Sequence, residues 1–592
     1  MKTKRSKLSW LWENMAGYRL MFVIGFFGTV AYNAMQLIVP YFSGKIVDIF
    51  LSSEEAVARI NTQRDTFYKL IALMIGLTVI RVVIVYLVCM DYEHVSQAVL
   101  SNIKNRLFEK MQFQDMTFFA KYRTGDLMTR MTGDMDAIRH NIAWVIRAIV
   151  EAFSLYTAVA VYFIWLNWKL ALSILVISPF IMIIIIFFKK EVAPLHALLR
   201  EKFSQLNTTA QENISGNKVV KAFAREEYEI SKFDVSNTDY METNIKTNLT
   251  WIKYFPYVET CANSLPVILL IVGGIFIING GLTIGEYVSF SGLVWAISNP
   301  MRMLGNIMNE FQRFSSASDK VMELYYAEPA IKDAPDAIAH PEPLKGKIEF
   351  RHVSFMYDDG TEDVLKDISF TVNPGETVAI MGETGCGKTS LIQMIPRFFE
   401  PTSGEVLVDD VNVNSYKLTD LRKSIGLASQ DVLLHSDTIS GNIAYGVSDL
   451  SQKEIEKFAH YSAASGFIDN MPDGYNTIIG ERGVGLSGGQ KQRISLARAL
   501  AIKPSILILD DTTSAVDMET EKKIQGSLGS LDFPCTKLII AQRISSTRHA
   551  DNIIILKDGC ILEQGTHDEL VALGGYYSEL VHLQENTTGE VD

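Results

Sequence analysis

Long apolar segments in the first half of the chain constrain its fold more than any other feature. Hydrophobic residues make up 48% of the 592 residues, and the excess lies before about residue 312. Six apolar segments there are long enough to cross a bilayer: 20–42, 66–90, 142–166, 170–188, 255–279 and 284–306. We therefore predict an all-α polytopic membrane domain with six transmembrane helices.

The distribution of positive charge indicates how these helices are oriented. The N-terminal segment and the two long loops, 91–140 and 189–253, carry most of the Lys and Arg between the spans. By the positive-inside rule these segments and both termini face the cytoplasm. The long loops are rich in helix-forming residues, so spans two to five are expected to continue as helices beyond the membrane. The chain is predicted to be a multi-pass protein of the cell membrane.

After residue 312 the composition becomes that of a soluble domain. Residues 327–346 contain four prolines and are predicted to form a linker. Alternating stretches that predict strands follow, and the last of these leads into a glycine-rich turn and a predicted helix, SLIQMIPRFF. The predicted domains are a transmembrane domain over 1–325, a linker over 326–345 and an α/β domain over 346–592.

Charge and cysteine content argue against two other classes of protein. The net charge of −12 offers no basic surface for nucleic acid, so no nucleic-acid partner is expected. The cysteines have neither the spacing of metal ligands nor that of a disulfide framework, which favours a reducing, cytosol-facing protein. They are Cys89, Cys261, Cys386, Cys535 and Cys560.

The glycine-rich turn, GETGCGKT at 382–389, fits the phosphate-loop pattern G-x-x-x-x-G-K-[ST]. Its glycines allow backbone N–H groups to wrap a polyphosphate, Lys388 reaches the terminal phosphates, and Thr389 can ligate magnesium. The residues expected to bind the nucleotide here are Gly382, Glu383, Thr384, Gly385, Cys386, Gly387, Lys388, Thr389 and Ser390.

A second motif, ILILDD at 506–511, is typical of a buried strand that ends beside the phosphates. Asp510 is the acid expected to hold Mg²⁺ through water. An apolar run that ends in aspartate is common in α/β cores, and its pairing with the phosphate loop is what favours the magnesium site.

Between these motifs lies LSGGQ at 486–490, followed by the predicted helix KQRISLARAL. The sequence resembles the signature of ATP-binding cassette (ABC) proteins. With six spans preceding this domain, the whole chain resembles an ABC exporter half-transporter, which implies ATP and Mg²⁺ as cofactors, a P-loop ABC ATPase domain and a hydrophobic or amphipathic substrate such as a drug, lipid or peptide.

The resemblance also implies roles for individual residues. Tyr357 matches the aromatic residue that stacks on adenine, and Gln430 matches the glutamine that senses magnesium and the membrane domain. The loop 514–517 (SAVD) matches the segment that crosses the dimer interface. Segments 118–139 and 212–227 are similar to the coupling regions of ABC exporters, and GERG at 480–483 is similar to the loop that touches them.

Two positions depart from the family pattern. Asp511 stands where the family has a glutamate that polarises the attacking water, and Gln542 stands where it has a histidine. A side chain shorter by one methylene can misplace a catalytic group by about 1 Å, which can cost on the order of a hundredfold in rate. Glutamine carries no positive charge for the transition state. The site is expected to bind ATP and to hydrolyse it poorly.

In this family two cassettes dimerise head to tail, so the resemblance implies that Ser487, Gly488, Gly489 and Gln490 contact the nucleotide held by a second chain. A partner half-transporter with intact Glu and His would then give one competent site, and this chain resembles the degenerate-site subunit of heterodimeric bacterial multidrug exporters. The alternatives are a slow homodimeric exporter that uses Asp511 as its base, and an ATP-gated regulatory protein or channel. An importer would usually carry its cassette on a separate chain.

Ionisable residues also fall in or near the predicted spans: Arg81, Arg147, Glu151 and Glu259. Such groups are costly in a bilayer and often functional. Two interpretations stay open for them, structural pairing or solvation on one side and substrate contact on the other.

Overall fold

The computed structural model describes residues 6–51, 60, 62–339, 343–357, 360–447, 449–480 and 483–588. Its contacts divide the chain into two compact units. The first comprises Met1–Gln112 and Thr124–Ala327, and the second comprises Phe113–Arg123 and Glu328–Asp592. This division into two units does not test the predicted domain limits, which remain a prediction: 1–325, 326–345 and 346–592.

The segment Phe113–Arg123 lies inside the predicted transmembrane domain but belongs to the second unit. Asp115 gives a physical reason, because its Oδ2 accepts a hydrogen bond from the Ala330 backbone amide at 2.5 Å. Its Oδ1 caps the short helix that follows by accepting from the Phe118 amide at 3.0 Å. These hydrogen bonds lower the pKa of Asp115 against the opposing effect of its burial, which is the largest single influence.

The described part of the first unit is helical. Its helices, together with α5 of the second unit, are α1 Lys7–Asn14, α2 Arg19–Met35, α3 Ile38–Ile46, α4 Arg64–Gln112, α5 Met116–Lys121, α6 Thr124–Met131, α7 Gly133–His140, α8 Ile146–Leu175, α9 Ile177–Ser215, α10 Asn217–Ala222, α11 Glu226–Ile278, α12 Ile284–Leu293 and α13 Trp295–Tyr325. Short π-helical turns at Val47–Leu51 and Asn141–Val145 continue α3 and precede α8.

Within the described residues, four helical segments are long and apolar enough to cross a membrane: Arg19–Leu51, Arg64–Gln112, Thr124–Ser215 and Glu226–Ile278. The third contains two of the predicted spans. Asn167 separates them, because its backbone is non-helical and its Oδ1 accepts a hydrogen bond from the Leu170 amide at 3.2 Å. The sixth predicted span covers α12 and the start of α13, and its assignment stays a prediction.

The long helices α4, α9 and α11 continue well past the predicted spans, as expected from the composition of the loops. They contain 49, 39 and 53 residues respectively. Prolines within α9 and α11 do not end these helices. The prediction that spans two, four and five continue as helices is therefore confirmed. For span three, the π-helical turn Asn141–Val145 and α7 extend the helix on its N-terminal side, as the sequence also predicts.

The second unit contains two sheets flanked by helices. Its strands are β1 Ile348–Phe355, β2 Leu365–Val372, β3 Thr377–Gly382, β4 Ser403–Val408, β5 Val411–Asn412, β6 Ile425–Ala428, β7 Ile506–Asp510, β8 Thr536–Ile540, β9 Asn552–Lys557 and β10 Cys560–Gly565. Its remaining α-helices are α14 Lys388–Gln393, α15 Leu418–Lys423, α16 Ile439–Ile443, α17 Gln452–Tyr461, α18 Ser465–Ile468, α19 Gly488–Ala501, α20 Met518–Gly529, α21 Ile544–Thr547, α22 His567–Leu573 and α23 Tyr576–Thr588.

The larger sheet sets the position of the site. It has the order β10-β9-β3-β8-β7-β6, and all of its pairs are parallel except β9 with β10. The carboxyl ends of β3, β7 and β8 therefore meet at one edge, where ligands bind in sheets of this kind. The smaller sheet, β2-β1-β4-β5, is antiparallel.

The helix after the phosphate loop is shorter than predicted. The sequence predicts a helix over SLIQMIPRFF (390–399), but α14 ends at Gln393. Pro396 follows within three residues and cannot donate a backbone hydrogen bond, and Arg397 has a left-handed φ of 54°. This part of the prediction is wrong.

Candidate nucleotide site

The phosphate loop connects β3 to α14 and is closed by the side chain of Lys388. The Lys388 Nζ donates to the backbone carbonyls of Gly382 at 2.8 Å and Glu383 at 2.7 Å. Gly382 has a φ of +148°, and a Cβ there would lie 2.2 Å from the Leu556 carbonyl oxygen. Gly385 has a φ of +88° with open space beside it. The loop therefore requires glycine at both positions, and its open side leaves room for a phosphate chain.

At the carboxyl end of β7, Asp510 meets the phosphate loop. Its Oδ2 accepts a hydrogen bond from the Thr389 hydroxyl at 3.1 Å. Burial raises the pKa of Asp510, the Thr389 bond lowers it, and the neighbouring Asp511 raises it further. A carboxylate and a hydroxyl are oxygen donors of the kind that Mg²⁺ prefers, so these residues fit the cation predicted for them.

Asp511 follows at the end of the strand with a left-handed backbone, φ 51°. Its amide donates to the Ile540 carbonyl at 3.0 Å, which fixes it against β8. Gln542 directs its Nε2 toward the Asp511 Oδ2 at 3.5 Å. Burial raises the pKa of Asp511, while Ser514, Arg543 and Lys388 lower it. The two positions that depart from the family pattern are therefore neighbours in space.

A cleft of about 360 Å³ joins these groups. This volume falls within the range of about 300–1,000 Å³ that is usual for ligand sites. Its lining contains most of the predicted site residues, together with Val364 and Ile540, which the sequence did not indicate. The lining residues are Tyr357, Val364, Thr384, Gly385, Gly387, Lys388, Thr389, Ser390, Gln430, Asp510, Asp511, Ile540 and Gln542.

Tyr357 also lines the cleft. Its hydroxyl is hydrogen-bonded to the Ser390 hydroxyl at 2.8 Å. Its ring packs edge-on against Phe355 and Phe399, with centroid distances of 4.8 and 5.4 Å. Cys386 lies at the other side of the loop, buried, with its Sγ 3.7 Å from the Lys388 Nζ. An aromatic ring held in this way offers a face on which a base can stack.

The LSGGQ motif lies at the start of α19 and contributes no residue to the lining of this cleft. Ser487 and Gln490 form a capping box, in which the Ser487 hydroxyl accepts from the Gln490 amide at 3.3 Å and the Gln490 Oε1 accepts from the Ser487 amide at 2.9 Å. Ser487 and Gly488 are exposed, and Gly489 is half-buried. The structure thus separates these four predicted nucleotide contacts from the phosphate loop of the same chain.

Two residues that the sequence analysis missed connect the signature helix and the catalytic loops. The buried Gln492 donates to the Asp511 carbonyl at 3.3 Å and accepts from the Ala515 amide at 3.2 Å. Arg543 donates to the carbonyls of Ser514 at 3.2 Å and Val516 at 3.2 Å. No local motif marks either residue, although each lies within two residues of a predicted site position.

The four ionisable residues that fall in or near the predicted spans each form a hydrogen bond or an ion pair. Arg147 and Glu151 form an ion pair at 3.6 Å, and Glu259 pairs with Arg302 at 3.1 Å. The Arg81 Nε donates to the Tyr32 carbonyl at 3.4 Å, and Arg81 also lines a cavity of about 220 Å³. These contacts favour the structural interpretation for the two pairs and leave substrate contact open for Arg81. The central residues of GERG, 481 and 482, lie outside the described residues.

Known proteins resemble both halves of the chain. A family model described as "ABC transporter transmembrane region" matches residues 22–301, and one described as "ABC transporter" matches residues 365–514. YknU of Bacillus subtilis (strain 168), an uncharacterized ABC transporter ATP-binding protein, is 38% identical over 81% of this chain and 82% of its own length. The ATP-dependent lipid A-core flippase of Syntrophus aciditrophicus (strain SB) is 35% identical over 89% of each chain.

A solved structure extends the likeness to the full fold. The structure of a bacterial Atm1-family ABC exporter with ATP bound has a TM-score of 0.80 and 26% sequence identity, over 97% of this chain and 99% of that chain. The predicted fold class, a helical transmembrane domain fused to an α/β nucleotide-binding domain, is confirmed. Such proteins bind and hydrolyse ATP and act as dimers in a lipid bilayer on hydrophobic substrates. The chain belongs to the ABC transporter family, and it is a multi-pass exporter half-transporter with its ATPase domain fused to its membrane domain.

Proposed function

We propose that this chain is one subunit of a heterodimeric ABC exporter and that its own ATP site holds nucleotide rather than hydrolysing it efficiently. The observation that carries the proposal is the pair formed by Asp511 and Gln542 at the phosphate end of the cleft, 3.5 Å apart. The groups that bind ATP are all present around this pair, whereas both groups that would promote hydrolysis are replaced.

The replacements weaken the same chemical step. The Asp511 carboxylate is one methylene closer to its backbone than glutamate, so it reaches less far toward an attacking water. The Gln542 side chain can donate a hydrogen bond to a terminal phosphate, but it is neutral and cannot offset the charge that develops in the transition state. Water activation and charge stabilisation are therefore both reduced.

Nucleotide binding depends on other residues. Lys388 and the phosphate-loop amides contact the phosphates, and Tyr357 stacks on the base. Thr389 and Asp510, with Gln430 in the same cleft, would hold Mg²⁺, which would neutralise charge on the phosphates. The chain therefore retains ATP while the chemistry occurs elsewhere.

The exposed signature motif contributes to the second ATP site of the dimer, in which the partner chain binds the nucleotide. Ser487, Gly488 and Gly489 do not line the chain's own cleft. In a head-to-tail dimer they complete a site on a partner that carries Glu and His at the two positions replaced here. The assembly lies in the cell membrane with both ATPase domains in the cytoplasm. It exports hydrophobic or amphipathic compounds, a class that includes lipids of the kind named for the flippase relative.

A second candidate is a slow homodimeric exporter. The raised pKa of Asp511, caused by burial, favours it, because a carboxylate of higher proton affinity is a better general base. An ATP-gated regulatory protein is a further alternative, and measured export of a substrate would exclude it.

The test compares ATPase rates in the same lipid. The full chain is purified alone and together with a half-transporter that carries Glu and His at the corresponding positions. We expect little turnover from the chain alone and high turnover from the complex. A rate for the chain alone that matches the complex would refute the heterodimer and favour the homodimer.

A further inference from the structure

The last helix of the second unit, α23, is held firmly at its first turn. Glu563 on β10 accepts hydrogen bonds from the backbone amides of Tyr576 at 2.6 Å and Tyr577 at 3.0 Å. It thereby satisfies two of the N–H groups that a helix leaves free at its start. Tyr577 is fully buried, and its hydroxyl is hydrogen-bonded to the His567 ring at 2.8 Å.

The apolar face of α23 fixes its rotation. Tyr577 and Val581 pack in one buried cluster with Met381 at the end of β3 and with Ile553 and Ile544. Met381 directly precedes the phosphate loop. Because this face is buried against the sheet, the rotation of α23 about its axis is fixed, and a side chain further along the same face takes a fixed position.

Gln584 lies seven residues after Tyr577 and three after Val581, and therefore on the same face of α23, where it bridges the backbone around Gln542. Its Nε2 donates to the Gln542 carbonyl at 3.0 Å, and its Oε1 accepts from the Ile544 amide at 2.9 Å. A carboxamide carries a donor and an acceptor in one plane, so one side chain can satisfy both backbone groups. The Ile544 amide begins α21, whose N-cap residue Arg543 makes no side-chain capping bond.

The same helix also contacts the phosphate loop. The Tyr576 hydroxyl donates to the Glu383 carboxylate at 3.3 Å. Tyr576 and Gln584 are eight residues apart, or about 12 Å along an α-helix. One helix therefore contacts both the phosphate loop and the segment that carries Gln542.

We propose that Gln584 is a positioning residue, which fixes the backbone of residues 541–547 so that the Gln542 side chain stays directed at the terminal phosphate of bound ATP. We name residues 541–547 the switch segment. Arg543 holds its opposite side through the carbonyls of Ser514 and Val516. The inference rests on the proposed function in one respect: it assumes that Gln542 contacts the terminal phosphate of bound ATP.

Three variants of the full chain in lipid nanodiscs test the inference. Gln584→Met retains the length and helix propensity of the side chain but removes both hydrogen bonds. Gln584→Glu retains the acceptor for the Ile544 amide and loses the donor to the Gln542 carbonyl. His582→Ala is the control, because His582 is an exposed residue on the same helix.

The first measurement is hydrogen exchange of the switch segment without nucleotide. We expect exchange to rise by about three- to tenfold in Gln584→Met, by less in Gln584→Glu, and not at all in the control. The second is the preference for the non-hydrolysable analogue AMP-PNP over ADP, since only AMP-PNP carries the phosphate that Gln542 would contact. We expect this preference to fall by about three- to tenfold in Gln584→Met, with ADP affinity unchanged.

Gln542→Ala separates the inference from the proposed function. The inference is overturned if hydrogen exchange of the switch segment in Gln584→Met equals that of the His582→Ala control, whatever the preference for AMP-PNP over ADP. It is also overturned if Gln542→Ala lowers the AMP-PNP preference and Gln584→Met does not. If Gln542→Ala itself leaves the preference unchanged, the proposed contact of Gln542 fails, and the exchange result alone decides whether Gln584 positions the segment.

Discussion

Two regions of the ATPase domain, the phosphate-loop cleft and the signature motif, differ in how closely they match the family pattern. The phosphate-loop cleft retains its binding residues and carries substitutions at Asp511 and Gln542, 3.5 Å apart. The signature motif at the start of α19 is intact and has a complete capping box. Under the proposed function, the surface that would serve a partner is preserved in this chain while the chain's own hydrolysis would be weakened.

The comparison predicts its largest effect at the signature motif. Gly488→Ala in the complex with a competent partner should lower ATP turnover by about a hundredfold, because it displaces backbone donors from the partner's phosphate. Within this chain the new Cβ would lie 3.5 Å from the Ala515 Cβ, an ordinary contact, so the domain should fold normally. Steady-state ATPase assays measure the loss.

Gly526→Ala is the matched control, since it adds the same methyl group on α20 with nothing within 4 Å. It should leave turnover unchanged. If Gly488→Ala behaves like this control, the signature of this chain completes no working site, and the contrast between the two regions disappears.

The second prediction restores the cleft instead of damaging the motif. Asp511→Glu combined with Gln542→His should raise the ATPase rate of the chain alone by about ten- to a hundredfold, since it returns both the longer carboxylate and an ionisable imidazole. The single substitution Gln542→His should raise the ATPase rate by less than the double substitution does. No gain in the correctly folded double variant would mean that another feature limits hydrolysis.

The third prediction concerns Gln492, which ties the two regions together. Gln492→Leu leaves the Asp511 carbonyl and the Ala515 amide without this partner, so it should destabilise the second unit by about 1–3 kcal/mol. The midpoint of thermal unfolding of the full chain should fall. Gln452→Leu, at an exposed position on α17, serves as the control and should leave the midpoint nearly unchanged.

The smallest effect is expected where the cleft has already been altered. Asp511→Asn should change turnover of the complex by less than about twofold, because the proposed function assigns the competent site to the partner. It is assayed in the same lipid preparation as Gly488→Ala. If Asp511→Asn proves the more damaging of the two, this chain hosts the working site and the assignment of the two regions is reversed.

Much of the site could be predicted because its residues belong to local motifs. The phosphate loop requires glycine where the backbone turns or approaches another chain segment, as at Gly382, so its spacing is visible in the sequence. Asp510 ends an apolar strand, and parallel strands bring their carboxyl ends to one edge. The neighbourhood of Asp511 and Gln542 followed only from the family resemblance, since 31 residues separate them.

Prediction from the apolar pattern failed in two places, once because of residues within the predicted helix and once because of a distant hydrogen bond. The helix after the phosphate loop ends at Gln393, because Pro396 and the left-handed Arg397 stop it despite the apolar pattern. The segment Phe113–Arg123 belongs to the second unit, although its sequence continues the helices of the first. Its bond to the Ala330 amide spans 215 residues and leaves no trace in local periodicity.

The sequence by itself determined the membrane-spanning character of the first half, the α/β class of the second half, and the position of the phosphate-loop motif, because hydrophobic length and backbone turns are encoded by residues close together in the chain. Only the tertiary structure decided which side chains hold those residues in place. Gln492 and Gln584 act through hydrogen bonds to backbone groups 19 and 42 residues away. Almost any sequence can offer such backbone groups, so their pairing is specified by the packing of helices on the sheet and not by a motif.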